Sequence, residues 1–567
     1  MAQKEGAFLN AALCFPDAYE IGMSHLGSRI LYEVMNGQQD VYCERVFCPW
    51  PDMEKALRAE GLPLFSLETK RPLKNFDLLG FSLLYEMCYT NVLTMLDLGG
   101  IPFLASERGE NDPLIIAGGP CCVNPEPIAP FMDAVVIGDG EEVTVEILDA
   151  LRQAKREGAG KSELLARLSK LEGVYIPSYP NATARRRVVR DLENAAYVEK
   201  PIVPHMSIVH DRVCLEVMRG CTRGCRFCQA GYIYRPVRQR DAESLLARGK
   251  RLVDKTGYDE VSLLSLSTSD YTGLHELLPA LMDRMASKRV SVALPSLRAD
   301  SGLAEVLQKM QSVRKAGLTF APEAGTQRLR DVINKNVMEE DLLQAARDAF
   351  ENGWTSLKLY FMLGLPTETD EDLLGIADLA RKVTACWRQI PPGQRGKGLR
   401  LSFSVSTFVP KPFTPFQWCG QNSGEEIFRK QQLLRTAFRG MRGVELHCHP
   451  SRLSVLEAAF SRGDRRLADV LLAAYANGAR FDSWTEHFSR DAWALAFAEC
   501  GLTAEEYAQA AIPPGAPLPW SHIDIGVTED YLKREYERAM GERTTPDCRS
   551  GCQGCFGRAY EDHCRPA

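Results

Sequence analysis

The chain has 567 residues, of which 45% are hydrophobic and 25% charged, so it has the composition of an ordinary globular protein too long for one hydrophobic core. Its net charge of -6 argues against a protein that coats nucleic acid through its overall field, although contact with one folded RNA stays open. Without a signal-peptide pattern or ~18 uninterrupted apolar residues, we expect a cytoplasmic protein with no membrane partner.

Residues 1–150 alternate short apolar runs with amphipathic segments. Strand-like "FLNAALCF", "DLLGFSLL" and "DAVVIG" with helix-like segments between them predict a Rossmann-like domain with a parallel sheet. Such sheets bind ligands at the carboxyl ends of their strands, where glycine lets a ligand approach the backbone. The candidate glycines, in "AGGP" and "IGDGEE", are Gly118, Gly119, Gly138 and Gly140.

The remaining chain is predicted to have three parts. Residues 151–208 form a connecting region with a charged helix and a small strand pair near "GVYIPSYP" and "RRRVVRDL". Residues 209–420 contain six strand candidates, most of them separated by helix-like stretches, which predict a partial TIM-like (β/α)6 barrel. Residues 421–567 are mainly helical and end in a cysteine-rich segment. The predicted fold class is therefore α/β with a mainly α C-terminal domain.

The stretch "EVMRGCTRGCRFCQAG" places Cys221, Cys225 and Cys228 in one short loop after the first barrel strand. In a reducing compartment, clustered cysteines indicate metal binding rather than disulfides. A structural zinc site has four protein ligands, whereas a 4Fe-4S cluster held by three thiolates leaves one iron open to a small molecule. A zinc loop that borrows a fourth ligand is the alternative.

The spacing C-x-x-x-C-x-x-C, with Phe227 before the third cysteine, resembles the radical S-adenosylmethionine (SAM) superfamily. The resemblance implies that Cys221, Cys225 and Cys228 hold a catalytic 4Fe-4S cluster that binds SAM. It further implies a reductant such as flavodoxin or ferredoxin, and reductive cleavage of SAM to a 5′-deoxyadenosyl radical. The cofactor would perform the chemistry, and the protein would position it and exclude water.

Segments at the ends of later barrel strands extend the resemblance: "LSLSTSDY", "LPSLRAD", "TFAPEAGTQRLR" and "LYFMLGLPTETDED". The second strand departs from it, because "SLST" stands where many members carry Gly-Gly-Glu. Each segment also has a structural interpretation, such as a helix cap or a pairing of Glu323 with Arg328 or Arg330. The residues implied as cofactor contacts are Phe227, Ser267, Ser296, Arg298, Glu323 and Thr326.

An α/β domain ahead of such a barrel resembles the cobalamin-binding type of radical SAM protein, and nearly the whole chain is similar to an uncharacterised bacterial family with a C-terminal cysteine cluster. The D-x-H-x-x-G pattern is absent, since "YEIGMSHLGS" surrounds His25. Any cobalamin would therefore lack a lower histidine ligand, and His25 is interpreted as a loop or core histidine. A scaffold without cobalamin is the alternative interpretation.

The C-terminal segment "DCRSGCQGCFGRAYEDHC" repeats the spacing of the first loop with Cys548, Cys552 and Cys555, followed by Cys564. The repetition favours a second iron–sulfur cluster, and the alternative is a zinc site.

The sequence therefore predicts a radical SAM enzyme, with cobalamin, that methylates or otherwise modifies an unactivated carbon. One alternative is a methylthiotransferase-like or rearranging enzyme that acts on RNA or protein, and another is a sensor without turnover. The family resemblance also suggests a small partner protein encoded nearby. The substrate is not specified by any motif.

Overall fold

The computed structural model describes residue 4 and residues 6–295, 298–299, 318–392 and 398–557. The chain divides into two compact units. The first comprises Met1–Asp211, Ala459–Tyr507 and Ala516–Gly526, and the second Arg212–Ala458, Ala508–Gly515 and Val527–Ala567. The finer division into four parts stays a prediction. No described helix combines the length and apolar character needed to cross a membrane.

The first unit is built on a six-stranded sheet in the order β2-β1-β3-β4-β5-β6. The strands are β1 Leu9–Phe15, β2 Val41–Phe47, β3 Leu78–Ser82, β4 Leu114–Gly118, β5 Ala134–Val136 and β6 Val174–Tyr175. Strands β1 to β5 are parallel and β6 is antiparallel to β5. This arrangement confirms the Rossmann-like prediction.

Helices cover the sheet of the first unit because their apolar residues recur at helical spacing. In Leu26–Gly37, for example, Leu26, Ile30 and Met35 are buried. The helices of this unit are Tyr19–Gly22, Leu26–Gly37, Pro51–Ala59, Tyr89–Leu98, Glu141–Glu157, Lys161–Leu168, Leu467–Ala476 and Arg490–Glu499, and Ala504–Ala508 ends at its border.

The prediction that two small strands of the connecting region pair with each other is wrong. Both strands form, but β6 joins the main sheet, whereas β7 (Ala184–Arg185) pairs with Ile523–Asp524. Sequence proximity favoured a local hairpin, while the partner of β7 lies more than three hundred residues further along the chain. Arginines of the "RRRVVRDL" segment, which overlaps β7, make ion pairs within the first unit. Arg187, for example, pairs with Glu142 and Glu146 at 2.7 and 2.8 Å.

The second unit contains two parallel sheets, ordered β12-β11-β8 and β13-β14-β15-β16. Its strands are β8 Val213–Glu216, β9 Met218–Arg219, β10 Arg238–Gln239, β11 Glu260–Leu264, β12 Ser291–Ala293, β13 Leu318–Glu323, β14 Ser356–Leu363, β15 Arg400–Thr407 and β16 Val444–Cys448. The short strands β9 and β10 form a separate antiparallel pair beside the first cysteine loop.

The six predicted barrel strands are present, which confirms the partial barrel. Strand β16 was not predicted, although its half-buried Val444, Leu446 and Cys448 alternate with exposed polar residues as in a strand. The helices of this unit are Ala230–Ile233, Ala242–Thr256, Leu274–Ala286, Gln327–Val332, Glu339–Glu351, Asp370–Gln389, Gly424–Phe438 and Glu529–Met540, and Ser451–Arg462 runs across the border at residue 458.

Candidate functional site

The first cysteine loop, residues 221–228, is connected to β9 by Gly220, a position that has no room for a larger residue. Gly220 has φ +86°, and a Cβ there would lie 2.7 Å from the carbonyl oxygens of Tyr234 and Pro236. The loop then turns back on itself, because the Cys228 N–H donates to the Cys225 carbonyl at 3.2 Å. The backbone therefore brings the three predicted ligands into one turn at the carboxyl end of the first barrel strand.

The cysteines of the loop are half-buried, and their thiols influence one another. Burial raises the pKa of Cys221 to about 12, and the neighbouring Cys225 raises it further. Burial and Cys225 also raise the pKa of Cys228 to about 11, against opposing effects of the Gly231 N–H and Lys335. Without a cation, both thiols are neutral at neutral pH. A metal that binds them must displace their protons.

Arg226 fixes the middle of this loop. Its side chain is 0% exposed and pairs with the 1% exposed carboxylate of Glu535 at 3.1 Å. It also donates to the Arg543 carbonyl at 2.7 Å and to the Val332 carbonyl at 2.9 Å. A buried cation with this many acceptors holds the loop in one conformation.

The loop after β11 meets the first cysteine loop through Asp270. Its carboxylate pairs with Arg223 at 2.6 Å and accepts from the Ser267 hydroxyl at 2.7 Å. Burial raises the pKa of Asp270, but these two partners outweigh burial, so the pKa is lowered. The structure thus places Ser267 close to the cysteine loop and engages its hydroxyl with Asp270. Its contact with a cofactor stays a prediction.

Glu323 ends β13 in a left-handed conformation, with φ +68°, beside a register shift in the strand. Its carboxylate accepts from Lys335 at 3.2 Å, and not from Arg328 or Arg330 as the structural interpretation suggested. Burial lowers the pKa of Lys335, but Glu323 and Cys225 raise it, so the ammonium stays charged. Arg298 supports this position by donating to the Lys335 carbonyl at 2.9 Å.

Two other predicted contacts have structural partners. Thr326 caps the helix Gln327–Val332, where its hydroxyl accepts from Leu329 N–H and donates to Asp372. Phe227 is partly buried against an apolar cluster that includes Ala324 and Leu329. The roles of Thr326 and Phe227 toward SAM stay predictions. Ser296 and Cys564 lie outside the described residues.

The turn after β14 is held by a buried ion pair. Glu368 accepts from the Gly364 N–H at 2.8 Å and pairs with Lys430 at 2.8 Å, with side-chain exposures of 1% and 6%. Burial raises the pKa of Glu368 more than Lys430 lowers it. The "GLPTE" segment is therefore a rigid turn at the carboxyl end of a barrel strand.

The C-terminal cysteine loop, residues 548–555, belongs to the second unit. Cys548 is half-buried, Cys552 is exposed and Cys555 is buried. The Gly554 N–H donates to the Cys552 sulfur at 3.4 Å. Burial raises the pKa of Cys548, Arg235 opposes this, and Cys555 and Cys552 add to it. The three thiols of this loop are therefore neighbours as well. In the described part of the chain, no three His, Cys, Asp or Glu side chains converge on the position of one metal ion.

In the first unit, two of the four predicted glycines face the protein's own backbone. A Cβ on Gly119 would lie 2.4 Å from the Leu83 carbonyl oxygen, and one on Gly138 would lie 2.1 Å from that of Arg187. Gly118 and Gly140 have no backbone atom that close. Close backbone packing thus accounts for glycine at positions 119 and 138. The role of all four glycines toward a corrin stays a prediction.

A pocket lies at the carboxyl ends of β1, β2 and β3. It is lined by Phe15, Phe47 and Ser82, with the charged Arg45 and Lys200, and not by the four glycines. The chain order reverses at β1, which is where sheets of this kind bind ligands. None of the four predicted glycines lines it, so this pocket does not support the predicted corrin cradle.

His25 is the N-cap residue of the helix Leu26–Gly37, whereas the sequence analysis interpreted it as a loop or core histidine. Its Nδ1 accepts from the Ser28 N–H at 3.1 Å at the start of the helix Leu26–Gly37. Burial and the adjacent Arg29 lower its pKa to about 4.

Sequence reasoning missed Asp270, Lys335 and Arg235, which surround the first cysteine loop. Arg235 is buried and donates to the carbonyls of Gly231 and Arg223 at 2.9 and 3.1 Å. The available signal was the charge of the loop itself, because a buried metal-binding loop with two arginines needs carboxylates nearby. Which carboxylates these are depends on tertiary structure.

Comparison with known proteins yields two family matches. A model described as radical SAM proteins, N-terminal, matches residues 27–177, and a model of the radical SAM superfamily matches residues 215–380. An uncharacterized protein of Methanocaldococcus jannaschii is 27% identical over 82% of this chain and 90% of its own length. A tRNA-2-methylthio-N(6)-dimethylallyladenosine synthase of Desulforamulus reducens is 28% identical over 30% of this chain and 38% of its own length.

Among solved structures, the chain is similar to the radical S-adenosylmethionine methyltransferase TsrM from Kitasatospora setae, solved with tryptophan and a SAM analogue. The TM-score is 0.51 at 13% identity, over 74% of this chain and 76% of that one. TsrM has also been solved with cobalamin and a [4Fe-4S] cluster, to which the TM-score is 0.50. At this identity, the likeness shows a shared fold.

Proposed function

Because this chain belongs to the radical SAM superfamily, we propose that Cys221, Cys225 and Cys228 hold a 4Fe-4S cluster with one iron open to SAM. The observation that carries the proposal is the loop of three mutually interacting thiols at the carboxyl end of the first barrel strand. When bound and reduced, such a cluster cleaves SAM and supplies a 5′-deoxyadenosyl radical that abstracts hydrogen from a substrate carbon.

The side chains around the loop fit this cofactor. Three thiols in one turn supply the donor set, and Lys335 supplies a positive charge that favours the thiolate of Cys228. Arg226 and Arg223 hold the loop from two sides through Glu535 and Asp270. The residues therefore bind, orient and electrostatically stabilise the anionic ligands before any chemistry takes place.

The turn and strand ends around the loop would position SAM and exclude water. We propose that Phe227, Ser267, Ser296, Arg298, Glu323 and Thr326 contribute to this site. The left-handed Glu323 supports such a role, because strained backbone of this kind concentrates at functional sites. Its carboxylate and Lys335 together offer one acceptor and one donor to a zwitterionic ligand.

We propose methylation as the outcome, with cobalamin as a second cofactor, on the basis of the fold shared with TsrM. The residues of the first unit do not by themselves support this part, since two of the four glycines are packed against the chain's own backbone. No step is therefore derived through cobalamin. Corrin absorbance that co-purifies with protein reconstituted in hydroxocobalamin would support it, and its absence would favour a rearranging radical enzyme.

A second function is favoured by the resemblance to the tRNA methylthio-synthase, which would make RNA or protein the substrate. In that case the C-terminal cysteine loop, with Cys564, would hold a second iron–sulfur cluster. A zinc site there, and a sensor without turnover, are the remaining alternatives. The proposal also includes a cytoplasmic location, a reductant such as flavodoxin or ferredoxin, and a small partner protein that presents the substrate.

The open iron is tested by electron paramagnetic resonance of the anaerobically reconstituted, dithionite-reduced protein. Addition of SAM should change the spectrum, because SAM becomes a ligand of the cluster. A Cys228→Ser variant should lose the signal that responds to SAM. A wild-type spectrum that does not change with SAM would contradict the proposal.

A further inference from the structure

Hydrogen bonds join the two cysteine loops beside the first cysteine of each loop. The Cys548 N–H donates to the Thr222 carbonyl at 3.1 Å, next to Cys221. The Thr222 hydroxyl donates to the Asp547 carboxylate at 2.9 Å, and Arg223 pairs with the same carboxylate at 3.1 Å. A short path of covalent and hydrogen bonds therefore links Cys221 to Cys548.

Asp270 joins the same two loops from a third segment. Its carboxylate, which is 3% exposed, pairs with Arg223 of the first loop at 2.6 Å and with Arg549 of the C-terminal loop at 2.8 Å. Because a buried carboxylate is costly without cations, each loop stabilises the position of the other. The contact between the two loops thus includes a network of ion pairs around a buried carboxylate.

Arg235 provides a third link. It donates to the carbonyl of Arg223, within the first loop, and to that of Gly231, just after it. Its guanidinium lies over the rings of Tyr232 and Tyr531, at 4.8 and 5.7 Å from their centroids. One buried cation therefore joins the backbone of the first loop to the helix Glu529–Met540, which contains Tyr531.

The C-terminal loop has the features of a thiolate site rather than of inert thiols. The Gly554 N–H donates to the Cys552 sulfur at 3.4 Å. Hydrogen bonds to sulfur and nearby cations stabilise thiolates and tune the clusters that they hold. Gly551 and Gly554, which precede Cys552 and Cys555, have φ +140° and +63° and allow the loop to wrap.

We propose that Cys548, Cys552 and Cys555 hold an iron–sulfur cluster that clamps the first cysteine loop, with Asp270 as the carboxylate shared by both loops. Occupation of the C-terminal site fixes Cys548 and thereby Thr222, so the first loop keeps its folded conformation. Arg235 acts as a positioning residue of the first loop. The part that concerns retention of the first cluster rests on the proposed function, whereas the clamping of the loop does not.

The test uses the full chain with a Cys552→Ser substitution, because Cys552 is exposed and its removal leaves the core intact. Iron and sulfide content after anaerobic reconstitution should fall by about one 4Fe-4S cluster. A chelator should then remove the remaining cluster roughly tenfold faster than from wild type, as expected when a supporting contact is lost. Amide hydrogen exchange in residues 221–228 should also increase. Cys500→Ser, in the first unit, is the matched control.

Arg235→Met should accelerate iron loss from the first cysteine loop, and Arg235→Lys should lie between this variant and wild type. Arg284→Met, on the exposed side of the helix Leu274–Ala286, is the control. If Arg235→Met does not fold, the Cys552→Ser comparison decides.

Zinc at the C-terminal loop of anaerobically purified protein would overturn the inference. So would a Cys552→Ser variant whose first loop shows unchanged exchange and unchanged chelation kinetics. Failure of the proposed function would look different: the wild type would hold no cluster that responds to SAM, and the exchange measurement would still report whether the C-terminal loop clamps residues 221–228.

Discussion

Lys335 Nζ lies 3.2 Å from the Glu323 carboxylate, and the two side chains, exposed by only 12% and 15%, form an ion pair beside the first cysteine loop. Lys335 comes from the segment after the helix Gln327–Val332, and Glu323 from the end of β13. Burial raises the pKa of the Cys228 thiol, Lys335 lowers it and Glu323 adds to the increase.

Replacing Lys335 with Met should weaken metal binding at the first loop. The substitution removes the cation that favours the Cys228 thiolate and leaves the Glu323 carboxylate without this partner. We expect apoprotein stability to fall by about 3–5 kcal/mol in urea unfolding, the cost of breaking a buried pair. A Lys335→Met/Glu323→Gln double variant should recover part of this stability without recovering iron. Iron retention equal to wild type in Lys335→Met would contradict this role.

Arg226→Met should destabilise the second unit by about 3–5 kcal/mol, because Glu535 would remain charged and buried. The matched control is Arg429→Met. Arg429 pairs with Asp370 and Glu426 on the surface, where such pairs contribute about 0–1 kcal/mol. Urea unfolding measures both. Equal effects of the two substitutions would show that burial of the Arg226 pair is not what fixes the cysteine loop.

The first unit should lose stability as the pH falls from about 6.5 to about 4 through His25. In the unfolded chain His25 binds a proton near pH 6.5, whereas burial and Arg29 lower its folded pKa to about 4. The unfolded state therefore binds more protons in this window, so stability rises with pH there, by at most roughly 3 kcal/mol. His25→Asn keeps a helix cap but does not titrate, and its urea midpoints should vary less with pH. An unchanged pH profile would refute this assignment.

Gly138→Ala tests whether this glycine serves folding. A Cβ would meet the Arg187 carbonyl oxygen at 2.1 Å in a backbone with φ +107°. That carbonyl also accepts from the Asp139 N–H, so it cannot move freely. We expect a loss of at least about 1–3 kcal/mol in the cofactor-free protein. Gly109→Ala, which meets no atom within 4 Å, should have little effect. Normal stability of Gly138→Ala with impaired corrinoid binding would instead support the predicted cradle.

The parts of the site that depend on spacing could be predicted from sequence. Cys221, Cys225 and Cys228 are fixed by a local pattern, and their place after the first barrel strand follows from the alternation of strands and helices. The partners Asp270, Lys335 and Glu535 could not be predicted. They lie 45 to 310 residues after Cys225 in the chain, and no local periodicity encodes such contacts.

The same distinction applies to the fold. Strand β4 has a continuous apolar run, and β14 has buried residues that alternate with more exposed ones; both were predicted because either pattern is a strong local signal. Strand β16 is short and only half-buried, and β7 pairs with a distant strand, so the local signal of both is weak. The contact between the two cysteine loops also depends on tertiary structure, although the repeated spacing is visible in the sequence.

The central claim is tested most directly by 5′-deoxyadenosine release. Anaerobically reconstituted protein with dithionite and SAM should form 5′-deoxyadenosine, quantified by mass spectrometry, and Cys225→Ser should form none while Cys500→Ser behaves like wild type. Wild-type protein with intact iron and sulfide at the first loop that forms no 5′-deoxyadenosine would contradict the account and favour a sensor.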